Sequence, residues 1–415
     1  MSINLPSKSR FIPLMTQDLM VLCQQEVERS QIKEHIRFTY LAELLSSTFH
    51  FEFHRQAVAL KQTYAPIDPD RDTIKISDLD YSQDFIHLLK EVLNQANYEP
   101  ISKADLNKAL EESSLFKIQL AVDFDDFDEV LLFCRGEHEK SEEVSTWFGL
   151  KKKTVEFTNY ERVVVYFKFK DFDEKNILSQ AGYRSGSRIL KLFQNVPKAD
   201  LEMLFPNTRV EMRTIDKLLI GVPAAISGGI VLTTKLGASL LILASLIAFT
   251  LGLREEPVTL DQTALLALFG GLAALGGYLW KQFNNFKNRK LKFMQTLTQN
   301  LYFKNLDNNA GVFLRLLDEA EDEEVKEAML AYCFLLTSEQ PLSKLALDET
   351  IERFLKKELS IDIDFEIDDA LNKLHRFNLV KGSPEALEAV PIGEAISHLD
   401  NLWDDYFSAT DNLKN

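Results

Sequence analysis

The chain has 415 residues, with 63 acidic and 47 basic side chains and a net charge of −16 at pH 7. This length allows about two or three compact units. The charge is uneven, because residues 318–415 hold 24 acidic and 9 basic side chains and so carry −15. Such an acidic part repels nucleic acid, so we expect no nucleic-acid partner and a basic protein partner instead.

Residues 1–212 predict a soluble α+β domain in which helices come first. A first helix begins near Thr16, and a second, long helix runs from Ile36 to about Tyr64. A third covers residues 84–97, and Ser102 resembles the start of a capping box. Residues 118–124, 129–135, 154–158 and 162–169 then predict a small antiparallel sheet, and residues 190–205 predict a return to helix.

Two histidines on the predicted long helix are candidate metal ligands. His50 and His54 are four residues apart, so they lie on one helix face at a spacing that a metal site can use. Phe51 follows His50 where a zinc-protease motif requires glutamate, and no third ligand is identifiable. The alternative is a pair of ordinary hydrogen-bonded histidines at the surface of the domain.

Residues 213–282 contain three uncharged apolar blocks, at 218–234, 236–253 and 263–280. A helix of about 20 apolar residues can cross a bilayer. Basic residues flank the whole block and the linker at 254–261 is acidic, which favours two crossings, at 236–253 and 263–280, with both termini on the cytoplasmic side. Block 218–234 is then a re-entrant or interfacial segment, although a third crossing stays open.

Small residues recur at helical spacing within these apolar blocks. Such faces allow helices to approach closely, either between subunits of a homo-oligomer or within one hairpin. The residues concerned are Gly221, Ala225, Gly229, Gly270, Ala274 and Gly277.

The last part of the chain predicts a helical connector at 283–317 and an acidic winged-helix-like domain at 318–415. Helices at 312–337, 343–359 and 368–377, a short extended piece at 360–365, a hairpin near 379–391 and a last helix give the element order of that fold. Winged-helix domains also serve as protein-interaction modules, a step that rests on analogy.

Several stretches resemble an uncharacterised two-pass membrane family that includes transmembrane protein 143, with members in cyanobacteria, plants and animal mitochondria. The stretch Pro-Lys-Ala-Asp-Leu-Glu-Met-Leu-Phe-Pro at 197–206 is the most specific. The resemblance implies two membrane crossings and supplies no catalytic residues. It rests on residues 10–13, 49–54, 64–70, 191–206, 216–223, 305–311, 364–371 and 403–407.

Together these features predict an α+β protein with a transmembrane helical hairpin and a winged-helix-like C-terminal domain. We expect an integral membrane protein that acts as an adaptor or scaffold and presents two cytoplasmic-face domains to protein partners. We predict no cofactor and expect no catalysis. The alternatives are a membrane-linked metalloenzyme that uses His50 and His54, or a lipid-handling or channel-like protein.

Overall fold

The described residues of the protein form two compact units in a computed structural model. The described residues are 9–30, 35–71, 82–102, 119–146, 151–173, 177–211 and 301–406, together with isolated positions elsewhere, mostly between 244 and 299. The first unit comprises Met1–Ser113, Asp123–Asn207 and Lys304–Asn415, and the second comprises Ser114–Val122 and Thr208–Phe303. The first unit therefore draws its residues from both sides of the predicted membrane block.

An antiparallel five-stranded sheet organises the first unit, with the strand order β1-β3-β4-β5-β7. These strands are β1 (Glu99–Pro100), β3 (Phe127–Thr146), β4 (Lys151–Phe169), β5 (Arg188–Pro197) and β7 (Asn305–Asn308). In the second unit, β2 (Gln119–Ala121) pairs antiparallel with β6 (Arg209–Glu211). The predicted α+β class is confirmed, and the short strands predicted at 129–169 are parts of two long paired strands, β3 and β4.

The described helices of the first unit follow local sequence signals. They are α1 (Thr16–Arg29), α2 (His35–Tyr64), α3 (Ser82–Gln95), α4 (Ile177–Gln180), α5 (Ala310–Thr337), α6 (Lys344–Leu359), α7 (Ile367–Arg376) and α8 (Ile392–Asp405). At the start of α6, the Ser343 hydroxyl accepts a hydrogen bond from the Ala346 amide at 3.2 Å, which caps the helix. Strands β8 (Val380–Ser383) and β9 (Ala386–Ala389) form a hairpin before α8, in the predicted element order.

One hydrophobic core joins α1, α2 and α3 to α5–α8 and to the sheet. The ring of Phe313 on α5 lies 5.3 Å from that of Tyr64 on α2 and 6.1 Å from that of Phe85 on α3. Phe85 in turn lies 6.4 Å from Tyr166 on β4. Helix α5 is therefore the central element, packed between the N-terminal helices and the C-terminal ones.

A buried polar network crosses this apolar core. Lys373 on α7 is 5% exposed, and its ammonium contacts carboxylate oxygens of Glu324 at 2.7 Å, Glu327 at 2.7 Å and Asp369 at 3.0 Å. Burial lowers the pKa of Lys373, but the three carboxylates outweigh burial and hold it above its usual value. Because one ammonium pairs with three carboxylates, its single positive charge neutralises each of them only in part.

The same network reaches the N-terminal segment. Asn97, which follows α3, donates to Glu327 at 2.8 Å and to Glu323 at 3.1 Å. Glu323 accepts from the Ile12 amide at 3.1 Å, and Lys326 donates to the Ile12 carbonyl at 3.1 Å. Side chains of α5 thus satisfy both backbone polar groups of a fully buried residue, which would otherwise cost folding free energy.

The predicted transmembrane hairpin is wrong. Among the residues that the structure describes, no helix has the length and apolarity needed to cross a membrane. The predicted integral-membrane localisation, with both termini on the cytoplasmic side, is corrected by the same finding.

The predicted small-residue contacts lie mostly outside the described residues. This holds for the whole of block 218–234, with Gly221, Ala225 and Gly229, and for Ala274. Gly270 and Gly277 are described helical positions, and a Cβ added at either would meet nothing within 4 Å among the described atoms. No close approach of another described helix requires glycine at these two positions.

The predicted helix at 190–205 is also wrong. Residues of this stretch form β5 and then a 3-10 helix, Lys198–Leu204. Strand β5 has neighbouring buried residues, such as Leu192 and Phe193, so both of its faces are covered, and it pairs with β4 and β7 at its edges. A continuous apolar run fits a buried strand as well as a helix, so periodicity does not separate the two.

We predict that Lys373→Met destabilises the protein strongly. The substitution leaves Glu324 and Glu327 buried without a cation, so the free energy of unfolding should fall by about 3–5 kcal/mol in urea titrations at pH 7. Lys381→Met removes an exposed lysine 3.8 Å from Glu394 and should cost less than about 0.5 kcal/mol. Equal losses in the two variants would contradict a central role for the network.

We predict that the same carboxylates make the stability of the protein depend on pH. Burial raises the pKa of Glu327 to about 7, against the opposing effect of Lys373, whereas the unfolded value is 4.5. The folded state therefore binds this proton more tightly, and stability should rise as pH falls from about 7 to 4.5. Wild type should gain more stability than Glu327→Gln in urea titrations between pH 8 and pH 5. Exposed Glu349→Gln should parallel wild type, and parallel curves for all three would refute the prediction.

Candidate protein-interaction site

The two faces of α2 have different roles. One face carries core residues, among them Leu45, Phe49 and Phe53, which are at most 4% exposed. The opposite face turns Phe51 and Val58 outward, and Val58 is 41% exposed. This division follows from the helical repeat, because positions three or four residues apart lie on the same side.

A groove runs along the outer face of α2 beside Tyr406, the residue that follows α8. We call it the α2–α8 groove; its volume is about 500 Å³. It is lined by Phe51, His54, Arg55, Val58, Ala59, Gln62 and Tyr406. The lining mixes apolar residues with polar and charged ones, as recognition sites commonly do.

Three aromatic rings meet where α8 ends beside the groove. The ring of Phe51 lies 4.7 Å from that of Tyr406 and 5.8 Å from that of Trp403. Trp403 remains 37% exposed, so a large apolar surface stands at the lip of the groove. Exposed tryptophan and tyrosine of this kind are common energetic centres of protein interfaces.

Glu52 holds Tyr406, at one end of the groove, in place against α2 and α7. Its carboxylate accepts from Arg376 on α7 at 2.8 Å and from the hydroxyl of Tyr406 at 3.0 Å. Burial, followed by the charge of Glu52, raises the pKa of Tyr406 to about 12, so this hydroxyl stays a donor at neutral pH. Helices α2, α7 and α8 are therefore held together at one carboxylate.

Helix α7 is the third helix of the predicted winged-helix-like domain, where that fold places the helix that contacts nucleic acid. Its lysine, Lys373, is buried among carboxylates, and its arginine, Arg376, binds Glu52. Both cations are already neutralised by carboxylates of the same chain. Since phosphate contacts supply much of nucleic-acid affinity, this arrangement gives α7 little means to bind a phosphate backbone.

The two candidate metal ligands have different neighbours in the structure. The His50 ring contacts both carboxylate oxygens of Glu321 on α5 at 3.1 Å, whereas His54 lines the α2–α8 groove. Among the described residues, no group of three or more histidine, cysteine, aspartate or glutamate side chains is arranged to hold a metal ion. The metal site stays a prediction that lacks a third ligand.

Sequence reasoning missed the aromatic groove and found only His54 of its lining. Trp403 and Tyr406 lie in the predicted last helix and in a stretch that carries the family resemblance, and neither was predicted to form a site. Their spacing of three residues at the end of an amphipathic helix is a signal for an aromatic surface. The contact with Phe51, far away in sequence, follows only from the three-dimensional fold.

Comparison with known proteins finds one matching family model and no activity. A family model described as "Protein of unknown function (DUF3754)" matches residues 160–311. The matched region includes part of β4, all of β5 and β7, and the described residues of the second unit that follow β5, but not the α2–α8 groove. No solved structure matches this chain. The resemblance to the family that includes transmembrane protein 143 stays a prediction.

We predict that Glu52→Ala loosens the groove. The change removes the acceptor of Arg376 and Tyr406, which should lower the free energy of unfolding by about 1–3 kcal/mol and alter the fluorescence of Trp403. Glu43→Ala, at an exposed position of the same helix, should have little effect on either measurement. If Trp403 fluorescence is the same in both variants, Glu52 does not position α8.

Proposed function

We propose that the protein is an adaptor that binds another protein through the α2–α8 groove. The observation that supports this proposal is the partly exposed aromatic lip formed by Phe51, Trp403 and Tyr406 beside the α2–α8 groove. Buried aromatic anchors dominate the energetics of protein interfaces, and a groove on a rigid helical frame positions them well. Both the N-terminal helix α2 and the C-terminal Tyr406 line the groove, so the proposed function requires both parts of the chain.

The charge of α8 indicates the chemistry of the partner. This helix carries Glu394, Asp400, Asp404 and Asp405 and has no lysine or arginine. Residues 318–415 as a whole hold most of the net negative charge of the chain. A partner segment with an apolar anchor for the groove and basic residues towards α8 fits both features.

The strongly shifted carboxylates of the core are not part of the lining of the α2–α8 groove. Glu324 and Glu327 have pKa values raised to about 7 by burial, which is a property shared by many catalytic acids. Here both contact Lys373, inside the core. Their use is structural, because they join α5 to α7.

Photocrosslinking in cells tests the proposal. A benzoylphenylalanine placed at Val58 of the full chain should capture a discrete basic protein, and Trp403→Ala should reduce the yield at least about fivefold, since interface tryptophans commonly contribute more than 1 kcal/mol. The matched control is the same probe at Val21, which is 53% exposed on α1. The crosslink at Val58 should also weaken at high salt, because the partner is basic.

Three outcomes would overturn this proposal. Equal capture at Val58 and Val21 would mean that the groove is not selective. A yield unaffected by Trp403→Ala would remove the aromatic lip from recognition. Capture of a second copy of the chain alone would make the groove a homo-oligomer interface instead of an adaptor site.

A further inference from the structure

Strands β3 and β4 continue beyond the rest of the five-stranded sheet as a pair. The pairing of β5 with β4 ends where Pro197 lies opposite Asn159, and that of β1 with β3 covers two residues only. Strands β3 and β4 stay paired with each other to the end of both. We call the part of this pair that no third described strand joins, residues 137–146 and 151–158, the ribbon. It has no part in the α2–α8 groove.

The outer edge of β4 is open along the ribbon. Among the described residues, no backbone hydrogen bond joins residues 151–158 to any strand other than β3. Thr154 and Glu156 are exposed. An edge strand presents unpaired N–H and C=O groups with which another strand can pair. A two-stranded ribbon is also only marginally stable in water, so additional strands would stabilise it.

The residues along this edge of β4 fit a second copy of the same strand. Lys152, Thr154 and Glu156 share one face of the ribbon, because alternate residues of a strand lie on the same side. If two such strands pair antiparallel about Thr154, Lys152 of each copy lies opposite Glu156 of the other. Opposed residues of unlike charge stabilise a sheet, and symmetry makes two such pairs. On the other face, lysines lie opposite Val155 and Phe157, so no like charges oppose each other.

The outer edge of β3 does not allow the same pairing. Glu137, Glu139 and Glu143 share one face of the ribbon, and Glu142 lies on the other. In each antiparallel self-pairing of β3 centred on a residue from 138 to 143, at least one glutamate opposes a glutamate of the second copy. Like charges that lie directly opposite each other destabilise a sheet. The charge pattern therefore selects the edge of β4 for a second copy.

We propose that the protein forms a homodimer in which the β4 edges of two ribbons pair antiparallel about Thr154. Residues 151–157 of the two copies lie opposite one another, and the ribbons form a four-stranded sheet in the order β3-β4-β4-β3. Val144, Val155 and Phe157 of both copies share the second face of this sheet and give it apolar area. Because each copy uses the same edge, the contact closes as a dimer and does not extend into a filament.

A disulfide at the symmetry axis tests this dimer. Thr154 lies opposite itself in the proposed register, at a Cα–Cα distance of about 4.5–5.5 Å, which permits a disulfide. The full chain with Thr154→Cys should therefore form a covalent dimer when diamide oxidises it, as seen on a non-reducing gel. Wild type should stay monomeric on the same gel, since Cys23 and Cys333 are buried and Cys134 is partly buried.

The matched control for this disulfide is Ser141→Cys. Ser141 is exposed on β3, opposite Glu156 of the same ribbon. In the proposed dimer three strand spacings separate Ser141 from its copy, which is about 14 Å and too far for a disulfide. Little or no crosslinking is expected for this variant.

Charge reversal tests the register independently. Lys152→Glu should raise the dissociation constant of the dimer at least about fivefold in analytical ultracentrifugation, because glutamate then opposes glutamate in both symmetric pairs. The double variant Lys152→Glu with Glu156→Lys exchanges the two charges and restores both pairs. Its dissociation constant should return to within about twofold of wild type.

Four results would overturn the proposal. They are the absence of a covalent dimer for Thr154→Cys, equal crosslinking of Ser141→Cys, and a double variant that dimerises as weakly as Lys152→Glu. The fourth is a wild-type chain that sediments as a monomer at every concentration, which would leave the β4 edge to a strand of a different protein.

Discussion

The ammonium of Lys373 is the interaction on which the arrangement of the first unit depends. It brings Glu324 and Glu327 of α5 against α7, and Asn97 extends the same network to the N-terminal helices. A buried charge without a partner is far more costly than an unfilled apolar contact, so the elements that carry these groups must meet in one register. The apolar core alone tolerates small shifts, whereas this network does not.

That constraint explains why the candidate groove exists. Once Lys373 fixes α7 against α5, Arg376 three residues later points to Glu52 on α2, and Glu52 also receives Tyr406. The end of α8 is thereby placed on the outer face of α2, where its aromatic residues remain partly exposed. The surface proposed for partner binding is a direct product of charge pairing inside the core.

Local patterns in the sequence predict much of the fold, and long-range pairing accounts for most of what they miss. Helix α7 is recognisable because its buried residues recur at helical spacing between polar ones. Strand β7, Asn305–Asn308, is almost without apolar residues and reads as a turn, yet it is a strand because β5 offers an open edge. The groove depends on Phe51 meeting Trp403, a contact that no local pattern encodes. Long apolar blocks with basic flanks predicted a membrane hairpin, but no helix among the described residues is long and apolar enough to cross a membrane.

The late position of α5 in the chain has a consequence for synthesis on the ribosome. Strands β3–β5 and helices α1–α3 are complete by Pro197, but the helix at their centre begins only at Ala310. At about 5–20 residues per second, the ribosome needs roughly 5–20 s to make the residues between them. During that interval the nascent chain exposes the apolar faces that α5 later covers, which is the kind of surface that chaperones bind and that favours aggregation.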